Sequence, residues 1–242
     1  MKRTQRFPGG LLALLLCCLP LNAQTHMEEA QDFQKTAGDR SILYRGEQAA
    51  SYLSLANGNP YWDNAEFQNG DIVFEGNTYY DVPLNIDANI QRVLVHLANG
   101  PFVISHAPAL VPAFTMGGRL FAGFGPDGAL PEGFYEIIGE GREQVYKQVR
   151  KLLSSSLMDV NGDPIGYVDA NYRPDIFKYF AIERSYYFRD KDGNFSPLKN
   201  LRQLLNRYPD RKKELRKAIK AAGLRTKEFD ACCELVLKLT DR

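Results

Sequence analysis

Short stretches of alternating apolar and polar residues fill the segment from Asp71 to Ala107. Ile72 and Phe74 alternate with polar neighbours, and Val93 and Val95 repeat the spacing further along. A period of two residues is typical of a strand with one buried face. The pattern therefore predicts four consecutive strands joined as an antiparallel meander.

Three turn signals separate these strands: Gly76-Asn77, Asp87-Ala88-Asn89 and Asn99-Gly100. Because Gly and Asn accept a positive φ, Gly76-Asn77 suits a two-residue hairpin turn. Pro83 lies inside the second strand and cannot donate a ladder hydrogen bond. Its position predicts a sheet edge or a bulge there.

Strict alternation along this second strand separates its two faces. One face would carry Tyr80, Val82, Leu84 and Ile86. The other would carry Tyr79, Asp81, Asn85 and Asp87. The more polar composition of the second set predicts that it faces solvent, with Tyr79 exposed.

The β pattern continues beyond Ala107 and is interrupted by one polar segment. Two strands are predicted around Met116-Gly117-Gly118, followed by hairpins of Phe134–Ile138 with Gln144–Leu153 and of Phe177–Phe188 with Phe195–Leu198. Residues 154–175 are rich in Ser, Asp, Asn, Gly and Pro and predict a loop insertion. Loops of this length usually have a task or are mobile.

After Leu198 the apolar spacing changes to that of helices. Ser196 and Pro197 fit the N-cap and first position of a helix, and a second helix is expected from Pro209 to Gly223. Thr226 would cap a third helix. Its apolar face would contain Phe229, Cys232, Val236 and Leu239. Cys232 and Cys233 are adjacent, which disfavours a disulfide between them, so we expect two small core residues.

These elements predict a mainly β (α+β) protein. Its antiparallel meander would form an open or half β-barrel, with two or three short C-terminal helices packed on it. The expected organisation is a signal peptide (1–23), a partly ordered lead-in (24–58) with weak helical periodicity around 42–55, the β-meander (59–198) and a basic helical subdomain (199–242). The helical end would cover one opening or edge of the sheet.

The first residues have the pattern of an export signal. Lys2, Arg3 and Arg6 precede a short apolar stretch from Gly10 to Leu21, and Asn22-Ala23 marks a cleavage site before Gln24. The apolar stretch is shorter than the roughly 20 residues of a membrane span. Lipidation is disfavoured because Leu16, rather than a small residue, precedes Cys17. We expect a mature protein in the periplasm, at the outer membrane or outside the cell.

Charge is balanced over the chain, with 30 Lys and Arg against 29 Asp and Glu, but it is concentrated at the helical end. Between Lys199 and Lys227 basic residues far outnumber Asp210 and Glu214. This charge fits either a solvated helix face or docking on anionic headgroups, glycan phosphate or an acidic protein. Export argues against nucleic acid. The candidate partner-binding residues are Arg211, Lys212, Lys213, Arg216, Lys217 and Lys220, with Trp62, Tyr79 and Tyr187 as aromatic contacts.

The sequence contains only weak motifs for metal binding or catalysis. Asp159 to Asp163 resembles the start of a calcium loop, but Pro164 and Ala170 occupy the positions that require Gly and Glu. His96 and His106 are the two His of the β region, and neither has a nucleophile motif or a second ligand nearby. We therefore assign no catalytic, metal or cofactor residues and expect no enzyme activity.

Residues 58–62 (GNPYW) and 70–87 (GDIVFEGNTYYDVPLNID) carry a resemblance to a family. They resemble a Gly-x-Val-x-Tyr-x-Gly-x-x-Tyr-x-x-Val-x-Leu-x-Tyr-Asp pattern of exported Bacteroidota proteins. Residues 186–193 (YYFRDKDG) and the basic Leu-rich helices that follow are also similar to it. Ile86 stands where that family often has Tyr. The resemblance implies fold and export, and it supplies no catalytic residues.

The leading functional hypothesis is a non-enzymatic envelope protein, an accessory or binding module that contacts a protein or glycan partner through its surface. One alternative is a carrier of an apolar, lipid-like ligand in the mouth of the curled sheet, lined by Phe102, Phe114 and Phe121. Another is a hydrolase that uses His96 or His106 with a carboxylate.

Overall fold

We describe the protein from a computed structural model, which covers residues 19–52, 56–97, 102–157 and 176–241. The helices are α1 (Leu19–Ala37), α2 (Leu201–Asn206), α3 (Lys212–Ala221) and α4 (Phe229–Thr240). The first six strands are β1 (Glu47–Gln48), β2 (Ala56–Asn57), β3 (Gln68–Phe74), β4 (Asn77–Asp87), β5 (Arg92–His96) and β6 (Val103–His106). The remaining strands are β7 (Ala113–Met116), β8 (Arg119–Phe124), β9 (Gly133–Ile138), β10 (Gln144–Leu157), β11 (Ile176–Arg189) and β12 (Phe195–Pro197).

The twelve strands of the described ranges belong to one sheet. Its pairing order is β1-β6-β5-β4-β3-β7-β8-β9-β10-β11-β12, and every pair on this path is antiparallel. β2 lies off the path and pairs in parallel with β11. β3 to β6 are the four strands predicted between Asp71 and Ala107, so the meander is confirmed. Among the described residues the two ends of the order do not pair, and the sheet stays open.

The open sheet curls around an apolar interior until the turn after β4 reaches β10. The Lys151 backbone N–H donates to the Ala88 carbonyl at 3.1 Å. The buried Gln91 side chain donates from Nε2 to the Val149 carbonyl at 2.9 Å and accepts from the Phe134 N–H at 3.2 Å. These bonds hold the turn against β9 and β10 without strand pairing. The prediction of an antiparallel meander that forms an open or half β-barrel is confirmed, since the sheet is curled and unclosed.

A bulge in β4 changes which of its side chains enter the core. Gly70 pairs with Val82 and Ile72 with Tyr79, so Tyr80 and Asp81 together oppose a single residue of β3. The extra residue shifts the alternation by one position. Tyr79 is therefore only 4% exposed, on the same side as Val82, and its prediction as an exposed residue is wrong.

Two details of this hairpin also differ from the sequence prediction. Its turn is Glu75-Gly76, both with positive φ, rather than Gly76-Asn77, because Phe74 pairs with Asn77. Pro83 lies next to the bulge rather than in it, directly before the part of β4 that pairs with β5. A strand residue that lacks a partner on one side tolerates Pro.

The interior of the curled sheet is filled by aromatic and branched side chains. Phe114 and Phe121 are buried and stacked at 4.9 Å, and Phe134 and Trp62 contact this stack edge-on at 5.4 Å. Residues from β3, β4, β5, β7, β8, β9 and β10 contribute to this cluster. The sheet therefore curls around a filled interior.

The three C-terminal helices pack on the sheet around a second apolar cluster. Leu204, Leu215 and Val236 are fully buried in it. Cys232 and Cys233 are buried free thiols in the same cluster, as predicted for core residues.

The helix boundaries differ from the predicted ones. Ser196 and Pro197 belong to β12, and the N-cap of α2 is Asn200, whose side chain accepts from the Gln203 N–H. The second helix begins at Lys212 rather than Pro209. The N-cap of α4 is Glu228 rather than Thr226. Each predicted cap lies a few residues too early.

Lys147 connects the filled interior of the sheet, here called the barrel core, with the apolar cluster under the C-terminal helices, here called the helical core. It lies on the same face of β10 as Val149 of the barrel core and Val145 of the helical core. Its Nζ donates to Glu136 at 2.9 Å and to Asp230 of α4 at 2.7 Å. Burial by itself lowers the pKa of Lys147, but the hydrogen bonds to Asp230 and Glu136 outweigh it and raise the pKa above its ordinary value.

Several sequence predictions fall partly or wholly outside the described residues. The calcium-like segment from Asp159 and the turn at Asn99-Gly100 lie there. Of the loop predicted at 154–175, residues 154–157 belong to β10, and the others lie outside. The lead-in, 24–58, contains most of α1, two 3-10 turns (Gly38–Arg40 and Ile42–Tyr44), β1 and β2. Its helix precedes the segment where weak helical periodicity was noted.

Candidate functional site

The predicted basic helix is α3, and it presents one cationic face to solvent. This cationic face consists of Lys213, Arg216, Lys217 and Lys220, all exposed. The spacing places them on the same side of the helix. Leu215 and Ile219 are buried on the opposite side and anchor α3 to the helical core. Within the described chain, none of the four forms an ion pair.

The other two predicted cations of this helix have structural contacts. Arg211 donates to the Glu214 carboxylate at 2.8 Å and to the Leu239 carbonyl at 2.7 Å, which ties the start of α3 to the end of α4. Lys212 donates to the Asn206 side chain in α2. Both side chains therefore hold the helices together.

The predicted aromatic contacts are not exposed. Trp62 is 3% exposed, and its Nε1 has no hydrogen-bond partner among the described residues. Tyr79 is buried by the bulge. Tyr187 is half-buried on the outer face of the sheet, with its ring 6.0 Å from that of Tyr135. Trp62 and Tyr79 are therefore core residues of the sheet, and the prediction that their rings are exposed contacts does not fit their burial.

A cleft of about 400 Å³ lies beside β5 and β6. We call it the aromatic cleft, because its walls include Tyr52, Tyr61, Phe67 and Phe180, together with Gln48, Ser51 and Asn59. None of its described lining residues carries a formal charge. Its volume is within the range of about 300–1,000 Å³ that is typical of small-molecule sites.

Tyr52 is a fixed wall of this cleft. Its hydroxyl donates to Asp87 Oδ2 at 2.6 Å and accepts from Asn89 Nδ2 at 3.1 Å. Asp87 Oδ1 in turn accepts from the backbone N–H groups of Asn89 and Ile90. Burial, followed by the hydrogen bond to Asp87, raises the pKa of Tyr52 well above its ordinary value. The phenol therefore stays neutral and locked in place.

Asn59 is a second fixed residue of the cleft lining. Its Oδ1 accepts from the Tyr61 backbone N–H and from Lys151 Nζ, both at 3.0 Å. Its Nδ2 has no hydrogen-bond partner among the described residues. Burial lowers the pKa of Lys151. The lysine ammonium is thus bound by Asn59 Oδ1, and Asn59 contributes a neutral amide to the lining of the cleft.

The two candidate histidines do not form an acid–base site. His106 is 2% exposed, with Nε2 2.7 Å from the Leu43 carbonyl and its ring 4.3 Å from that of Phe74. His96 packs edge-on against Phe67 at 5.3 Å. Among the described residues, neither imidazole hydrogen-bonds a carboxylate. The geometry that the hydrolase hypothesis requires is absent from this part of the chain.

The three Phe residues expected to line a carrier cavity do not share one. Phe114 and Phe121 are stacked in the filled core, whereas Phe102 is 55% exposed. The expected lining is therefore not formed, and this observation weighs against the apolar-ligand carrier.

Sequence reasoning missed the aromatic cleft because its walls come from distant segments. Tyr52 lies in the lead-in, Phe67 precedes β3, and Phe180 lies in β11. The only local signal was the aromatic pair Tyr61-Trp62, and of that pair Tyr61 lines the cleft while Trp62 enters the core.

Comparisons of the chain with protein-family models, curated proteins and solved structures found no match. The resemblance to exported Bacteroidota proteins therefore stays a prediction. In the described ranges, no helix has the length and apolarity that crossing a membrane requires. No three His, Cys, Asp or Glu side chains of these ranges are grouped so that they could hold a metal ion.

Proposed function

We propose that this protein is an exported, non-enzymatic binding module of the cell envelope, which holds an acidic partner protein through the cationic face of α3. The observation that carries this proposal is a set of four exposed cations on one side of a firmly anchored helix, none of them ion-paired with another described residue. Clustered charge of one sign steers and strengthens association with a surface of the opposite sign.

An envelope location is supported by the first 23 residues, with their basic start, short apolar stretch and small residue before the predicted cleavage site. A similar pattern in exported Bacteroidota proteins agrees with this location. The module would meet envelope proteins, glycans and anionic lipid headgroups in that compartment.

A protein partner is favoured over a membrane surface because of the apolar side of α3. Leu215 and Ile219 are committed to the core, so the helix has no apolar face to insert between lipids. Contact with a membrane would depend on charge alone.

The test is a pull-down from envelope extracts with mass spectrometry, using the full chain and a variant with Lys213, Arg216, Lys217 and Lys220 all changed to Glu. A control variant carries the same change in net charge at exposed Lys35, Arg40, Arg45 and Lys178. We expect the first variant to lose the partner and the control to keep it, with a larger difference at low salt.

Equal recovery with both variants overturns the assignment to α3. Anionic and neutral lipid vesicles form a parallel arm of the experiment. Retention of the wild type on anionic vesicles, without a recovered protein, replaces the proposed partner by a lipid surface.

A further inference from the structure

We propose that the aromatic cleft is a second binding site, which takes a neutral saccharide unit of a glycan. This inference does not depend on the partner of α3, because the two sites share no residue. It adds a class of ligand that the cationic face cannot bind selectively, because a neutral sugar has no negative charge for the Lys and Arg side chains to attract.

The shape and the rings of the cleft fit a sugar. Tyr61, Phe67 and Phe180 are half-buried, so each contributes part of a ring to the wall of the cleft. The negative face of an aromatic ring attracts the weakly positive C–H groups on the flat side of a pyranose. A cleft of about 400 Å³ holds a ligand of one or two rings.

The polar groups of the cleft fit hydroxyls better than charged groups. Asn59 Nδ2 and the side chains of Gln48 and Ser51 have no hydrogen-bond partner among the described residues. Amides and hydroxyls both donate and accept, as sugar hydroxyls do. Two charged side chains that contact lining residues are already hydrogen-bonded, since Asp87 binds Tyr52 and Lys151 binds Asn59 Oδ1. A phosphate or carboxylate ligand would find no fixed cation in the described lining.

The cleft is also ordered before a ligand arrives. The Tyr52 hydroxyl has two hydrogen bonds, and its ring meets Phe180 edge-on at 5.8 Å. Asn59 is fixed by two hydrogen bonds to its Oδ1. A wall that is already fixed loses little conformational freedom on binding, which favours even a small ligand.

Asn59→Asp is the sharpest variant for a test. It keeps the acceptor oxygen that Tyr61 N–H and Lys151 use, so the fold is preserved, while it removes the Nδ2 donor and adds a charge. Tyr61→Ala removes one ring. Phe33→Ala is the matched control, because Phe33 is an exposed aromatic residue of α1 outside the cleft.

Isothermal titration of the full chain with neutral gluco-, manno-, xylo- and galacto-oligosaccharides measures binding directly, with a charged uronic-acid oligomer as comparison. We expect one or more neutral oligomers to bind. Asn59→Asp and Tyr61→Ala should each weaken that binding about tenfold, and Phe33→Ala should leave it unchanged. Thermal melting shows whether each variant is folded.

Three outcomes overturn the proposal. One is the absence of binding by every neutral oligomer at millimolar concentration. The second is binding that Asn59→Asp does not weaken in a folded variant. The third is a preference for the charged oligomer that disappears when the cationic face is reversed, because that places the interaction on α3.

Discussion

The side-chain amide of Gln34 hydrogen-bonds both backbone groups of Tyr80, as a neighbouring strand would. Gln34 Nε2 donates to the Tyr80 carbonyl at 2.8 Å, and Gln34 Oε1 accepts from the Tyr80 N–H at 2.9 Å. Tyr80 lies in the bulge of β4, where the regular ladder is interrupted. The helix α1 is thus held against the sheet by the backbone groups that the bulge leaves unpaired. This contact ties the C-terminal part of α1 to β4.

Replacing Gln34 with Ala should release α1 from the sheet. The variant leaves the N–H and the carbonyl of Tyr80 without their partner, so we expect the free energy of unfolding to fall by about 1 kcal/mol. Hydrogen exchange in α1 and at Tyr80 should accelerate. Gln31→Ala is the control on the same helix, and equal exchange in both variants would contradict the role of Gln34.

Asp81 should be sensitive to the shape of its replacement rather than to its charge. Its φ is 52°, in the left-handed region that β-branched residues avoid. We expect Asp81→Val to lower the free energy of unfolding by about 1–2 kcal/mol. Asp81→Asn, which tolerates this φ, should stay within about 0.5 kcal/mol of the wild type. Urea denaturation of both variants measures the difference, and equal losses would show that the bulge conformation is not the cause.

At this bulge the sequence no longer predicts which residues lie on which face of β4. Strands β3 to β6 were predicted because alternation and turn residues are local signals. The face of β4 on which Tyr79 lies depends instead on one extra residue opposite Asp71. Asp81 is one of the two residues of this bulge, and nothing in the sequence distinguishes it from the other Asp residues. Pro83 was a correct sign of irregularity nearby, but it could not specify the position or the shift of faces.

The two candidate sites also differ in whether local sequence predicts them. The cationic face could be predicted because residues three and four apart meet on one side of a helix, which is a local rule. Arg211 and Lys212 bind Glu214 and Asn206 instead of facing solvent. Which cations stay exposed therefore depends on how the helices pack. The aromatic cleft could not be predicted, since Tyr52 and Phe180 meet only after the sheet curls.

Lys147 should be one of the most sensitive charged positions of the chain. Lys147→Met removes the cation between Glu136 and Asp230, whose side chains are 13% and 45% exposed. We expect a loss of about 2–3 kcal/mol, below the full cost of breaking a buried ion pair because water still reaches Asp230. Lys213→Met makes the same substitution on the cationic face and should change stability by less than about 0.5 kcal/mol. Similar values for both variants would contradict the joining role of Lys147.

The filled barrel interior predicts a large effect of a core truncation. Phe121 is fully buried between Phe114 and Trp62, so Phe121→Ala should lower the free energy of unfolding by about 3–5 kcal/mol. Phe102→Ala, at an exposed ring, should cost less than about 0.5 kcal/mol. A small effect of Phe121→Ala in denaturant titrations would instead indicate a loose interior, as a lipid carrier requires.

His106 should make the stability of the protein depend on pH below neutrality. Burial lowers its pKa, and this effect outweighs the hydrogen bond to the Leu43 carbonyl. The unfolded chain therefore takes up a proton first as the pH falls. The stability that the neutral imidazole contributes is complete above the unfolded pKa of about 6.5 and is lost progressively as the pH falls from there to the lower folded pKa.

The variant His106→Gln removes this titration while keeping a side-chain donor near Leu43. It should be less stable than the wild type at pH 8, because the contact with Phe74 is lost, but that difference does not depend on pH. We expect urea denaturation at a series of pH values below about 6.5 to show a steeper loss for the wild type, so that the two proteins converge. Parallel pH profiles would mean that the imidazole is protonated as easily in the fold as in the unfolded chain, and they would contradict the effect expected from the burial of His106 against Phe74.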